Sequence, residues 1–300
     1  MTWIEVVEYT DPACSWAWGT EPKFRRLQWQ YGDRIRTWRR VLLGIFSPGW
    51  AQVFGLEART EAARVAYEQY LVPVTEATGM PGPIPLHWAM SDCETACRVA
   101  KAADFQGEPV SAAVLRRLRE SWFVHGRPAD SVELCLAAAH GVPGLDPDRL
   151  ARDLADPATE AAWQADWEEA RNPNEYVCNL PDTRAGRGAA QQQNGRMRYG
   201  LPCGILRGPG GEVTVSGWCE WTVWETALER VCPGAGAAAR PLPTPAEAFA
   251  NWPTLARAEL DELCGPGCEP PSDMVEHRTA GGVIWATPSE AASWPALVAY

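Results

Sequence analysis

Residues 9–21, YTDPACSWAWGTE, join a predicted strand to a predicted helix. Residues 2–9, before the junction, are rich in Val, Ile and aromatic side chains, which is typical of a strand. Residues 21–31, after it, carry apolar side chains at spacings of three and four, which indicates an amphipathic helix. The junction therefore places a single cysteine, Cys14, at the start of a helix, with Ala17 three positions further along.

The composition is that of a globular chain with an acidic balance. The chain has 300 residues, of which 46% are hydrophobic, and a net charge of −11 with a pI near 5.0. The negative charge argues against nucleic-acid partners, which require a basic surface. No apolar run reaches the about 18 residues of a membrane span, and the first residues lack the charged start and apolar core of a secretory signal. We therefore expect a cytoplasmic protein with neither nucleic-acid nor membrane partners.

The remaining chain divides into a helical middle and a second group of strands. Residues 35–43 have a strand pattern, so the start of the chain is predicted to be a βαβ unit with parallel strands. Residues 48–172 carry helical periodicity, and the polar segment 172–195 is a predicted loop. Strands are predicted at residues 203–207 and 212–215, and a helix at 221–231. A linker at 233–245, a final helix at 246–263 and a β-like segment at 277–285 follow.

This order, β-α-β, helical insert and β-β-α, contains the elements of a thioredoxin fold. The segments DPACSWAWGTEP (11–22), GRMRYGLPCGIL (195–206) and GWCEWTVWETALE (217–229) resemble the active-site helix, the cis-proline strand with its hairpin, and the last helix of the DsbA-like (FrnE-type) thioredoxin-fold family. SDCETACRVAKAADFQG (91–107) is similar to part of that family's inserted helical domain. The resemblance implies an α/β protein with a thioredoxin-like fold and an inserted all-helical domain.

The predicted domain boundaries follow from this resemblance. We assign residues 1–47 and 196–233 to the thioredoxin-like domain, 48–195 to the inserted helical domain and loop, and 234–300 to a C-terminal extension. The extension resembles a small winged-helix-like appendage of some relatives.

The chain departs from the family at the active turn, where Cys-x-x-Ala replaces the usual Cys-x-x-Cys. A helix N-terminus stabilises a thiolate, so we expect the pKa of Cys14 to lie below the free value of about 8.5. By resemblance, Leu201 and Pro202 form the cis-proline loop, which lies beside the active cysteine and binds the thiol substrate. Trp16 lies between Cys14 and Ala17 and is expected to line a substrate pocket.

Without a second thiol in the helix, the dithiol cycle is unavailable, because in that cycle the second thiol attacks the mixed disulfide and releases the product. Three routes remain open. Cys14 can act as a monothiol with glutathione or mycothiol, Cys203 beside Pro202 can act as a resolving cysteine, or Cys14 can orient a small thiol for chemistry without redox change.

The other cysteines do not predict a metal site. Cys93 and Cys97 are four apart on one helix face, which favours packing. Cys264 and Cys268 flank a tight turn with only His277 nearby, whereas a structural zinc site requires four N or S ligands. The ten cysteines are scattered along the chain, so we expect mostly free thiols and no metal.

These observations favour a DsbA-family thiol oxidoreductase, or a low-molecular-weight-thiol-dependent transferase, that uses Cys14 as its single active cysteine. The expected partner is a small-molecule thiol or disulfide, with no bound cofactor and with glutathione or mycothiol as co-substrate; a homodimer is left open. Two alternatives remain. One is an isomerase or glutathione-transferase-like enzyme that acts on a small aromatic compound, and the other is a non-catalytic thioredoxin-fold binding or adaptor protein.

Overall fold

The computed structural model of the chain describes residues 3–47, 49, 54–82 and 85–294. Its first part has the predicted strand–helix–strand order. The elements are β1 (Ile4–Thr10), α1 (Ser15–Trp18), α2 (Glu21–Tyr31), a 3₁₀ turn (Gly32–Arg34) and β2 (Ile35–Leu42).

A block of helices and a short hairpin follows β2. The elements are α3 (Glu61–Thr78), α4 (Glu94–Asp104), α5 (Glu108–Phe123), α6 (Val132–Ala139), α7 (Pro147–Leu154), α8 (Pro157–Ala170), α9 (Glu175–Cys178), β3 (Gln191–Gln193) and β4 (Arg196–Arg198). The loop predicted over 172–195 is wrong in part, because α9 and β3 lie inside it. Of the helices in the described ranges, none has both the length and the apolar composition for a bilayer span.

Four strands form the sheet of the thioredoxin-like unit. The remaining elements of this unit are β5 (Cys203–Gly208), β6 (Gly211–Ser216) and α10 (Trp221–Val231), and the strand order is β2-β1-β5-β6. β1 is parallel to β2 and antiparallel to β5, so that Tyr9 lies opposite Val41 on one side and Cys203 on the other. The predicted α/β class with a thioredoxin-like fold is confirmed. Because the end of β1 pairs with the start of β5, the turn that holds Cys14 lies near the start of β5.

Side chains alternate between the two faces of β1, and both faces are buried. Ile4 and Val6 pack into a core formed with α2 and α10. Val7 and Tyr9 pack into a second core on the opposite face, where the Tyr9 ring stacks on Tyr199 with centroids 3.9 Å apart. Cys14 belongs to this second core, so the turn that follows β1 is anchored on the face that the helical block covers.

The end of the described chain forms a three-stranded antiparallel sheet with short helices. Its elements are α11 (Pro245–Asn251), β7 (Thr254–Ala256), α12 (Arg257–Cys264), β8 (Val275–Thr279), β9 (Gly282–Ala286) and α13 (Pro288–Ala291), with strand order β7-β9-β8. The continuous helix predicted over 246–263 is wrong, because β7 interrupts it after Pro253, which lacks the N–H that a helix interior requires. The β-like segment predicted over 277–285 lies within the β8–β9 hairpin.

Buried ion pairs hold this final unit against the rest of the chain. Glu259 of α12 is fully buried and accepts hydrogen bonds of 2.8 and 3.0 Å from the Arg116 guanidinium of α5. Arg25 of α2 lies 3.1 Å from the same carboxylate. Trp29 of α2 lies off the apolar stripe of its helix and packs instead in the core of the final unit beside Phe249.

Candidate active site

A buried carboxylate shapes the turn that carries Cys14. Asp11 accepts a hydrogen bond of 2.8 Å from the Ala13 N–H and one of 3.0 Å from the Ile45 N–H. Its side chain is excluded from solvent, and burial raises its pKa above the usual range. The two bonds tie the end of β1 to the chain beyond β2 and set the path of the backbone into α1.

Cys14 is the N-cap residue of α1, and its sulfur accepts a hydrogen bond of 3.4 Å from the Ala17 N–H. The side chain is only 7% exposed, and burial raises the pKa of the thiol to about 11. The Ala17 N–H and the charges of Arg119 and Arg198 lower that pKa without outweighing burial. The expectation of a Cys14 pKa below the free value is therefore wrong. The N-terminus of α1 stabilises the thiolate, but the free-energy cost of removing the thiolate from water is larger than this stabilisation.

Leu201 and Pro202 lie between the β3–β4 hairpin and β5, and the peptide bond between them is cis. Leu201 and Cys14 belong to one apolar cluster and line one cavity. Within the described residues, neither the backbone N–H nor the C=O of Leu201 forms a hydrogen bond with the protein. Both groups therefore lack a partner in the described protein, in a residue that lines the same cavity as the thiol.

A cavity of about 260 Å³ opens at Cys14. The active turn, the helical block, the segment 184–188 and the β3–β4 hairpin all contribute to its wall, which includes Trp16, Phe54, Tyr67, Tyr70, Arg198 and Leu201. The tyrosines both come from α3, and their rings stack with centroids 5.5 Å apart. The thiol thus faces a small space with aromatic walls and a guanidinium.

Trp16 lines this cavity and packs against the segment 184–188. A β-carbon at Gly186 would stand 2.3 Å from the Trp16 ring, and Gly186 has a φ of +78°. The indole N–H of Trp16 is buried and has no hydrogen-bond partner among the described residues. A side chain at position 186 would therefore displace the ring or the segment that covers it.

Cys203 lies in the core behind the site. It is 1% exposed, sits opposite Tyr9 in the sheet and is not part of the cavity wall. Burial raises its pKa to about 12, and its side-chain partner is Ser216. This position gives the resolving role no support, and that role stays a prediction.

Apart from Trp16, the charged and aromatic side chains around the thiol were not predicted from the sequence. Arg198 precedes Leu201 by three residues, and both line the cavity. The spacing of three between Tyr67 and Tyr70 signals one shared helix face. Only the packing of α3 reveals that this face meets Cys14.

Two further cysteines lie beneath the active turn. The sulfur atoms of the buried Cys93 and Cys97 lie 3.6 and 3.7 Å from Oδ2 of Asp11. These three residues offer donor atoms within 4.8 Å of one another, which falls short of the four ligands of a structural zinc site. The two thiols satisfy the buried carboxylate as hydrogen-bond donors, and all ten cysteines are free.

Sequence comparison places the chain beside two kinds of known protein. A family model described as thioredoxin matches residues 8–174. The ClpXP adapter protein SpxH of Halalkalibacterium halodurans is 26% identical over 174 residues, which cover 56% of this chain and 54% of that protein. The chain spans about half the length of the curated relatives it matches.

Two solved structures share the architecture over most of their length. A protein assigned as a disulfide isomerase from Nitrosomonas europaea matches with a TM-score of 0.57 and 13% identity, covering 76% of this chain and 96% of that one. A protein assigned as a DsbA oxidoreductase from Streptomyces coelicolor matches with a TM-score of 0.51 and 20% identity, covering 80% and 93%. At these identities the similarity establishes the fold, a thioredoxin-like unit with inserted helices.

Proposed function

Because this chain belongs to the thioredoxin family, as a DsbA-like member with inserted helices, we propose that it is a monothiol thiol–disulfide oxidoreductase. Cys14 is the single active cysteine and acts on a small disulfide bound in the adjoining cavity. The observation that carries the proposal is the Cys14 sulfur at the N-terminus of α1, facing the same cavity as Leu201. The unpaired backbone groups of Leu201 serve to align the substrate next to the sulfur.

The reaction consists of three successive thiol–disulfide exchanges. The Cys14 thiolate attacks one sulfur of a disulfide RS–SR, so that a Cys14–SR bond forms, the RS–SR bond breaks and RS⁻ leaves with the proton that Cys14 released. A small thiolate R′S⁻ then attacks the R sulfur, forms R′S–SR and regenerates the Cys14 thiolate. A second R′S⁻ exchanges with R′S–SR, so two R′SH are oxidised for each disulfide reduced. Ala17 has no sulfur, so glutathione or mycothiol takes the resolving role.

Intact mass spectrometry with oxidised glutathione tests the proposal. Cys178 is exposed and would give a background adduct, so Cys178→Ser is the host protein. We expect an adduct on the Cys14 peptide at alkaline pH, which peptide mapping separates from any adduct on the partly exposed Cys219, Cys264 and Cys268. The Cys14 adduct should be absent from Cys178→Ser/Cys14→Ser and released by reduced glutathione. A parallel reaction with mycothiol disulfide compares the co-substrates. A Cys14 that takes up neither thiol would contradict the proposal.

A second candidate, a non-catalytic adaptor, is favoured by one relative and by the burial of the thiol. The Halalkalibacterium halodurans relative is a ClpXP adapter protein, and Cys14 is only 7% exposed here. On this hypothesis the chain binds a protein partner and Cys14 is a packing residue. Reduction of a small disulfide by glutathione, coupled to glutathione reductase, separates the two. Turnover that is lost in Cys14→Ser supports the enzyme, and equal background rates in both proteins support the adaptor.

A further inference from the structure

One guanidinium in the Cys14 cavity, that of Arg198, has no carboxylate partner in the part of the chain that the structure describes. Arg198 donates one hydrogen bond of 2.8 Å to the carbonyl of its neighbour Tyr199, and its Nε–H is buried without a partner among the described residues. Arg196, two positions earlier on the same strand, is instead paired with Glu168 at 2.9 Å. The hairpin therefore carries Arg196, which is paired outside the cavity, and Arg198, which lies in the cavity wall and has no carboxylate among the residues described.

The charges near Arg198 are weak counter-ions. The groups that most favour its protonated form are Cys14 and Asp11. Cys14 is a neutral thiol at pH 7, because its pKa is raised to about 11. The Asp11 carboxylate already accepts four hydrogen bonds, two from backbone N–H groups and two from thiols. Arg198 is partly buried and its Nε–H is excluded from solvent, so its charge is incompletely hydrated and the site favours an anion.

We propose that Arg198 binds a carboxylate of the substrate, which makes the substrate of the Cys14 reaction a small carboxylate-bearing thiol or disulfide. The inference rests on the proposed function and names its substrate class. A guanidinium presents parallel N–H donors that match a carboxylate. The aromatic walls supplied by Phe54 and Tyr70 suit the carbon chain between that carboxylate and the reacting sulfur.

This assignment separates the two co-substrates that the sequence left open. Glutathione carries carboxylates at both ends, whereas mycothiol, an acetylcysteine amide of a sugar conjugate, carries none. A subsite at Arg198 therefore selects glutathione and small mercapto acids over mycothiol.

Three symmetric disulfides that differ in charge test the subsite: dithiodipropionate (anionic), hydroxyethyl disulfide (neutral) and cystamine (cationic). Mass spectrometry measures the rate of mixed-disulfide formation at Cys14 in the Cys178→Ser host. The ratio of the anionic to the neutral rate is independent of the Cys14 pKa, because both probes meet the same thiolate. We expect Arg198→Gln to lower this ratio about tenfold, as for loss of a charged hydrogen bond, and Arg196→Gln to preserve it. An unchanged ratio in Arg198→Gln would overturn the assignment.

A binding measurement that needs no thiol chemistry distinguishes failure of this inference from failure of the proposed function. Cys14→Ser protein is titrated calorimetrically with phenylpropionate and with phenylpropionamide. The subsite is supported if only the acid binds and if this binding is lost when Arg198→Gln is combined with Cys14→Ser. That result would hold even if Cys14 reacts with no disulfide. Binding of neither ligand, or of both equally, overturns it. Arg198→Lys retains the charge without the planar fork, so it should recover part of the preference and shows that the loss is not unfolding.

Discussion

The backbone N–H of Ala17 donates a hydrogen bond of 3.4 Å to the sulfur of Cys14. A cysteine at position 17 would add a second sulfur to the same turn. Alanine keeps the backbone contact and omits that sulfur, so α1 retains the electrostatic part of a thiol site without an internal resolving group. This relationship is why the proposed cycle requires an external thiol.

Restoring the second cysteine should convert the site to a dithiol. We expect Ala17→Cys to form an internal disulfide with Cys14 under mild oxidation, because both residues lie on one helical turn. The side chain of Ala17 is fully buried, so the added sulfur should cost about 1–3 kcal/mol of the free energy of unfolding. Loss of two mass units and gain of insulin reductase activity check the result. Ala17→Ser is the matched control, and a variant in which both thiols remain alkylatable after oxidation would contradict the prediction.

The reactivity of Cys14 should depend steeply on pH. Since burial raises its pKa to about 11, its rate of alkylation by iodoacetamide should rise about tenfold per pH unit from about pH 7 to about pH 10. Peptide mass spectrometry measures the rate, and in urea-unfolded protein it should level off near the free thiol pKa of about 8.5. A plateau in the folded protein below about pH 9 would refute the prediction.

The same shift has a consequence for stability. A thiol whose pKa is raised on folding stabilises the fold fully below its unfolded pKa, and this contribution is lost as the pH rises towards the folded value. The free energy of unfolding should therefore fall between about pH 8.5 and about pH 11, and it should fall less in Cys14→Ala. Urea titrations at several pH values measure it. Equal pH dependence in the two proteins would show that Cys14 contributes nothing to this loss.

Opening the segment over Trp16 should expose the thiol. Gly186→Ala places a methyl group against the Trp16 ring, so we expect faster alkylation of Cys14 and a lower melting temperature. Gly195→Ala is the matched control, because Gly195 has a similar φ of +76° but no neighbour within 4 Å of the added carbon. Backbone strain should lower the free energy of unfolding of both variants by about 1 kcal/mol or more. Only Gly186→Ala should change the alkylation rate of Cys14. Equal alkylation rates in the two variants would argue against the contact.

Neutralising the buried carboxylate at the final unit should be severely destabilising. Glu259→Gln leaves Arg116 and Arg25 without the charge they share, and losing one partner of a buried ion pair costs about 3–5 kcal/mol. Urea unfolding measures the loss. The half-exposed pair of Arg207 and Glu212 supplies the control, where Glu212→Gln should cost at most about 1 kcal/mol. Similar costs at the two sites would show that the buried network is dispensable.

Segments whose structure depends on distant contacts were the ones that sequence patterns failed to predict. The polar residues around Gln193 suggested a loop, yet its side-chain amide donates hydrogen bonds of 2.9 and 2.8 Å to the carbonyls of Gly44 and Ser47. Those carbonyls lie after β2, far away in sequence. The hairpin that contains Gln193, and with it Arg198, is therefore held by partners that no local pattern reveals.

The strand, turn and helix around Cys14 could be predicted from the chain alone. The Val, Ile and aromatic content of β1, the Pro12 break and the apolar spacing of α2 are local features of the sequence. The family resemblance added the Leu201–Pro202 pair. The acidity of the thiol could not be predicted in this way, because a pKa responds through space to water and charge. It was set by the distant segments that bury Cys14 and bring Arg198 and the aromatic walls to its sulfur.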